Sequence, residues 1–195
     1  MLTGFKKRIY TPGVLAGDIW FLLTNIGGFA AAKKNEKLSR VFIEKIMSVV
    51  TAVNGCVYCS WFHAKESSSA GMSQSEIDNL FKLQFDTEAD EYELPALKYA
   101  QHFAETERKP DPQEKTAFVN FYGAKTAWEI MLFIRLIFWG NLLGNTYDAF
   151  LSRLKGHPAP NSNAIFEFFF FIFAFPLLFP ASLLLKKDSK KAASQ

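Results

Sequence analysis

Cysteine is almost missing from this 195-residue chain, which holds only two, and histidine is nearly as scarce with three. Two cysteines cannot build the multi-bridge framework of a small secreted protein. Charge of one sign is in short supply as well: the formal net charge is +3. Lys6, Lys7 and Arg8 lie near one terminus and Lys186, Lys187, Lys190 and Lys191 near the other, while the residues between are mildly acidic. A nucleic-acid-binding domain gathers Lys and Arg on one groove-facing surface, so that class is excluded and no nucleic-acid partner is expected. No stretch alternates apolar and polar residues between turn signals, which removes sheet architectures. Phosphate-cradling loops, dinucleotide fingerprints and zincin motifs are absent too.

What the chain does have is apolar substance: 49% of its residues are hydrophobic and 21 are phenylalanine. That is ample for one packed domain at ~100–200 residues per domain. Apolar residues recur near every 3.6 positions from Leu38 to Val53, at Val41, Phe42, Ile46, Val49, Val50 and Val53, the mark of a helix. Asn54-Gly55 interrupts it, and a second helix is expected from about Cys56 to Ser68. Ser73 and Glu76 are spaced as a capping box for a short helix through Phe81. An acidic connector, Asp86 to Glu93, leads to a helix from Leu94 to about Glu107. After the break at Lys109-Pro110-Asp111-Pro112 come Gln113 to Phe121 and a longer helix from Thr126 to Leu154. Near the N-terminus, Asp18 and Asn25 interrupt the apolar run and leave only Ile19 to Leu23 unbroken, too short for the ~7–15 apolar residues of a signal peptide. Val14 to Ala32 is instead expected to be one amphipathic or core helix. The fold class is all-α.

Domain boundaries follow from composition. Residues 1–156 read as the helical domain, 157–163 as a polar, helix-breaking linker, and 164–195 as an apolar segment with a basic tail. Eighteen residues from Phe168 to Leu185 carry no charge, just enough for a membrane span, although Pro176 and Pro180 should bend a helix there. A kinked span, a shallow hairpin and a buried oligomer-forming arm all remain open. Lysines prefer the cytoplasmic side, so a full span would place the domain outside. A proline-tipped hairpin leaves both ends inside and is the expected form. The chain is thus expected to be cytoplasmic and membrane-associated through residues 164–185.

Both cysteines fall in one short segment, at Cys56 and Cys59, with His63 four residues further on. On a helix these three share a face. Cys56 sits at or near a helix start, where free backbone N–H groups and the positive end of the dipole stabilise a thiolate. Glu44, in the preceding helix, can fold back over that start as a proton acceptor. A chance pair of core cysteines, a zinc site of Cys56, Cys59, His63 and Glu44, and a helical dithiol redox centre are the readings to weigh. Zinc usually draws ligands from two separated loops, and a thioredoxin-type enzyme would need a βαβ pattern; the dithiol centre is favoured. Trp61 and Phe62 flank the motif and are expected to pack, with Trp61 a possible wall for an apolar pocket. His102, His157 and the acidic connector read as solvated or linker positions.

Glu44, Cys56, Tyr58-Cys59 and His63 resemble the E…CxxC…H signature of the alkylhydroperoxidase D-like, carboxymuconolactone decarboxylase-related superfamily, above all its peroxidase-related branch. Ser69 to Ser73 with Glu76-Ile77, Leu97 to Ala100, and the Trp128 to Arg153 stretch with Asn141 and Asn145 are similar to other parts of that family, so the likeness covers about residues 10–155. The resemblance implies a helical bundle, homo-oligomers, and a thiol-dependent peroxidase or disulfide oxidoreductase acting on a hydroperoxide with a thiol or dithiol reductant. It implies Cys59 as the attacking thiolate, Cys56 as the resolving one, Glu44 as general base through a water, and His63 as proton relay. No cofactor and no metal is called for. One departure stands out: peroxidase members carry a histidine directly before the second cysteine, and here that place holds Tyr58. With an ordinary pKa near ~10 its hydroxyl is a poor relay at neutral pH, leaving Tyr58 an auxiliary role. Decarboxylase members typically lack the cysteine pair. A non-catalytic, membrane-associated oligomerisation scaffold and a metal-binding protein are the rival functions.

Overall fold

A computed structural model describes residues 5–86, 89–160 and 162–192. Thr87 and Glu88 of the acidic connector, Asn161 of the linker and the last three residues of the basic tail lie outside the described residues. Eight helices and no strand make up the described residues, as the all-α reading expects.

Helix α1 (Pro12–Thr24) starts at Thr11, whose side chain accepts from the Val14 N–H, with proline in the first turn, where its missing N–H costs nothing. It does not continue to Ala32 as expected. Asn25 ends it, its side-chain amide donating to the Phe21 carbonyl at 2.8 Å, and α2 (Ile26–Ala32) leaves at a 59° bend. The amide competes with the backbone for that carbonyl, which is how asparagine punctuates helices.

The centre of the bundle is α3 (Arg40–Asn54), capped by Ser39 and closed by Gly55 in the left-handed region at φ 66°, a conformation glycine adopts without strain. Phe42, Ile46, Val49 and Val50 are fully or almost fully buried, because α3 is packed against α4 (Val57–Ser69), α5 (Gln74–Phe81), α6 (Leu94–Glu105) and α7 (Pro112–Leu154). The Ser73–Glu76 capping box forms as expected at the head of α5. α6 stops two residues earlier than its pattern, since Glu107 and Arg108 turn left-handed at φ 53° and 71°. The end of the acidic connector is not solvated: Glu93 is buried and accepts from Lys45 at 2.6 Å. His102 is likewise tied down, its Nε2 accepting from the Asp111 N–H at 3.1 Å. α7 is two helices in series, joined where Gly123 departs to φ 75°, ψ 154°, which matches the two helices read in the sequence.

α8 (Ala164–Ala192) runs as one helix through Pro176 and Pro180, and the expected hairpin does not form. The two prolines remove backbone bonds, but the stripe Glu167, Phe170, Ala174 and Leu178 is buried at helical spacing against the body up to and between them, and Ala181 packs partly buried just beyond Pro180. Each end is pinned as well. Glu167 accepts from Arg153 Nε at 2.6 Å, and Asp188 accepts from Lys65 Nζ at 2.6 Å and Trp61 Nε1 at 3.0 Å. Lys65, the foremost cause, and Trp61 hold the Asp188 carboxyl below the usual aspartate range. Among the described residues two helices are long and apolar enough to cross a membrane, α7 and α8, and the bent α1–α2 pair would pass if taken together. Two thirds of the apolar window of α7 is covered by its own chain, against 17% of that of α8.

Candidate active site

The turn that delivers the cysteines is fixed from α7. Asn141 accepts from Asn54 Nδ2 at 3.1 Å and donates to Thr51 Oγ1 at 3.0 Å, while Asn145 Nδ2 donates to the Asn54 carbonyl at 2.9 Å. All four residues are buried. A carbonyl at a helix C-terminus has no partner within the helix, so these two asparagines satisfy the end of α3 and lock the Asn54-Gly55 corner. Beyond it Cys56 is the N-cap of α4: its sulfur accepts from the Cys59 N–H at 3.3 Å.

Cys56 and Cys59 are joined as a disulfide in this structure, with their Cα atoms 5.3 Å apart. Their surroundings differ. Cys56 is completely buried, beneath Gly144 of α7, and a Cβ on that glycine would stand 2.6 Å from the Cys56 sulfur. Cys59 is only partly buried and lines a cavity of about 840 Å³ between α3, α4, α7 and α8. Glu44 and His63 line the same cavity, and Glu44 Oε2 lies 2.8 Å from His63 Nδ1, both side chains nearly inaccessible. His63 is one turn beyond Cys59 on α4, so carboxylate, imidazole and reachable sulfur are gathered on one wall. Among the described residues no group of three or more His, Cys, Asp and Glu side chains is placed to hold a metal ion.

Tyr58 is buried, and its hydroxyl donates to Asp148 Oδ1 at 2.7 Å, while Lys7 donates to Asp148 Oδ2 at 2.8 Å. Burial first, then the bond to Asp148, pushes the phenol well above its ordinary range. The proton is therefore committed to Asp148. Trp61 lines the cavity as the sequence allowed, and so does Phe62, which stands half exposed.

Residues 22–102 match the model of the carboxymuconolactone decarboxylase family. Over that stretch, which is fewer than half of the chain's residues, the sequence is similar to this family. No curated protein and no solved structure matches the chain. The four residues read from the sequence, Glu44, Cys56, Cys59 and His63, all fall inside the carboxymuconolactone decarboxylase match. Gly144, Asp148 and the cavity wall built by Leu177, Leu178 and Ala181 of α8 fall outside it, and sequence reasoning missed them. One signal is present in the sequence: Gly140 and Gly144 recur at four-residue spacing beside Asn141 and Asn145, and at Gly144 the Cys56 sulfur and the Tyr58 ring fill the space a side chain would need.

Proposed function

We propose that this protein is a thiol-dependent hydroperoxide reductase that cycles Cys56 and Cys59 between dithiol and disulfide. The carrying observation is that Cys59, His63 and Glu44 line one apolar cavity while Cys56 lies bonded behind Cys59. The family includes alkylhydroperoxidase D-like peroxidases, which is consistent with that chemistry.

In the forward half of the cycle the Cys59 thiolate attacks the outer oxygen of the hydroperoxide. The O–O bond breaks, Cys59 becomes a sulfenic acid, and the alkoxide takes a proton from His63 and leaves as the alcohol. The Cys56 thiolate, favoured by its place at the start of α4, then attacks the Cys59 sulfur. The S–O bond breaks, hydroxide leaves and is protonated to water, and the disulfide forms. Two thiols and one hydroperoxide thus yield one disulfide, one alcohol and one water. Glu44 orients His63 and accepts the thiol proton, through a water. An external thiol or dithiol returns two electrons and two protons and reopens the bridge.

Tyr58 takes no part in proton transfer in this scheme and serves to seat the start of α4 against Asp148. The exposed face of α8, with Phe173 80% and Phe169 65% accessible, together with Lys186, Lys187 and Lys190 beyond it, supports attachment to an anionic membrane surface with the helix lying in the interface. A cytoplasmic, reducing setting suits a bridge that must be reopened, and the protein works as a homo-oligomer.

Turnover of an organic hydroperoxide with a dithiol reductant tests the activity, comparing wild type with Cys59→Ser, Cys56→Ser and Glu44→Gln. All three variants are expected to lose turnover; equal rates across the set would overturn the reading. Retention in the membrane fraction after an alkaline carbonate wash tests the attachment, and full release would remove it.

A further inference from the structure

The cavity over Cys59 is larger and more apolar than a small hydroperoxide needs. At about 840 Å³ it falls within the size of sites that enclose whole ligands, about 300–1,000 Å³. Met47 of α3, Leu136 and Leu143 of α7, and Leu177 and Leu178 of α8 give it apolar walls. Its cations are Lys33, just after α2, and Arg40, at the start of α3. Arg40 is held by Glu66 at 2.9 Å, whereas Lys33 has no ion-pair partner among the described residues. Leu177 belongs to two surfaces at once. It lines the cavity and is also 64% exposed on the outward apolar face of α8, so the cavity wall is continuous with the surface proposed to meet lipid.

Resting on the peroxidase reading, we infer that the substrate is a hydroperoxide borne on a long acyl chain with an anionic group at one end. The chain lies along the α3, α7 and α8 walls, where each methylene leaves water for an apolar surface. The anionic group sits at Lys33, and the hydroperoxide carbon reaches Cys59. A free fatty acid and an anionic phospholipid share this chemistry. The reaction is unchanged: the acyl hydroperoxide becomes the acyl alcohol and water while the dithiol becomes the disulfide, with an added dithiol as reductant.

The test uses the full chain with three substrates: linoleic acid hydroperoxide in solution, phosphatidylglycerol hydroperoxide in palmitoyl-linoleoyl phosphatidylglycerol vesicles, and tert-butyl hydroperoxide. At least one acyl substrate is expected to exceed tert-butyl hydroperoxide in kcat/KM by about ten-fold or more, and which one does so identifies the source. Leu177→Glu and Lys33→Glu, both at exposed positions, are expected to shrink that ratio. A readout free of turnover accompanies it. Doxyl-stearate is expected to quench tryptophan fluorescence from the cavity, oleate to reverse the quenching, and both variants to weaken it. Reduction of tert-butyl hydroperoxide at equal or higher efficiency, with no stearate quenching, would overturn the acyl inference and leave the peroxidase reading standing. Failure to reduce any of the three would overturn both.

Discussion

Gly144 of α7 stands so close to Cys56 that a methyl group on the glycine would lie 2.6 Å from the sulfur and 3.2 Å from the Tyr58 ring. That close approach is what lets α7 cover Cys56. Gly144→Ala is expected to destabilise the fold by roughly 1–3 kcal/mol, the cost of overpacking a filled interior. Gly140→Ala, whose new Cβ would meet only Ile137 Cδ1 at 4.0 Å, should instead hold or gain up to about 1 kcal/mol from better helix propensity. Urea denaturation of the two variants measures the contrast.

Glu44 and His63 are 2.8 Å apart on different helices, and the proposed cycle uses them as one proton-handling unit. Glu44→Gln and His63→Ala should each lower kcat/KM roughly 100-fold or more, and the double variant should fall little further than the worse single one. Losses that multiply would show two independent roles. Steady-state kinetics on the four proteins decides it.

All six tyrosines, at positions 10, 58, 92, 99, 122 and 147, are pushed above their ordinary range, with burial the foremost cause in each. A phenol whose pKa is raised in the fold binds its proton more tightly there than in the unfolded chain. Its contribution to stability is intact below the ordinary value near ~10 and is lost as pH rises beyond it. Tyrosinate absorbance and circular dichroism should therefore change together in one step above that pH. Gradual tyrosine titration with the helices intact would contradict this.

Glu167 is fully buried at the start of α8 and depends on Arg153 for its charge partner. Arg153→Met should cost about 1–3 kcal/mol, because it leaves a buried acceptor short of its donor. Lys65→Met, which removes the exposed α4 partner of Asp188 at the far end of α8, should change the urea midpoint little.

The helices were legible where one force dominated. The Ser73–Glu76 box, the Asn54-Gly55 corner and the stripe on α3 are local patterns with local causes, and the thiol motif lies within a single turn of helix. α8 was misjudged at Pro176 and Pro180, because the packing that carries the helix past them comes from α7 and α4, distant in sequence. The same reason hides the rest of the site. Gly144 matters through a sulfur 88 positions away, and Asp148 holds Tyr58 from another helix. Asn25 was recognised as interrupting an apolar run, but its capping of α1 shows only in the bond to the Phe21 carbonyl. The half-buried α8 wall of the cavity follows from a fold-back that composition alone reads as a separate arm.

The division of labour between the two sulfurs is the central claim, since one faces the cavity and the other is sealed beneath α7. Mass spectrometry of the two single-cysteine variants after one equivalent of hydroperoxide tests it most directly. The account predicts one added oxygen on Cys59 in Cys56→Ser and an unmodified Cys56 in Cys59→Ser. Oxygen added to Cys56 as readily as to Cys59, or to neither, would contradict it.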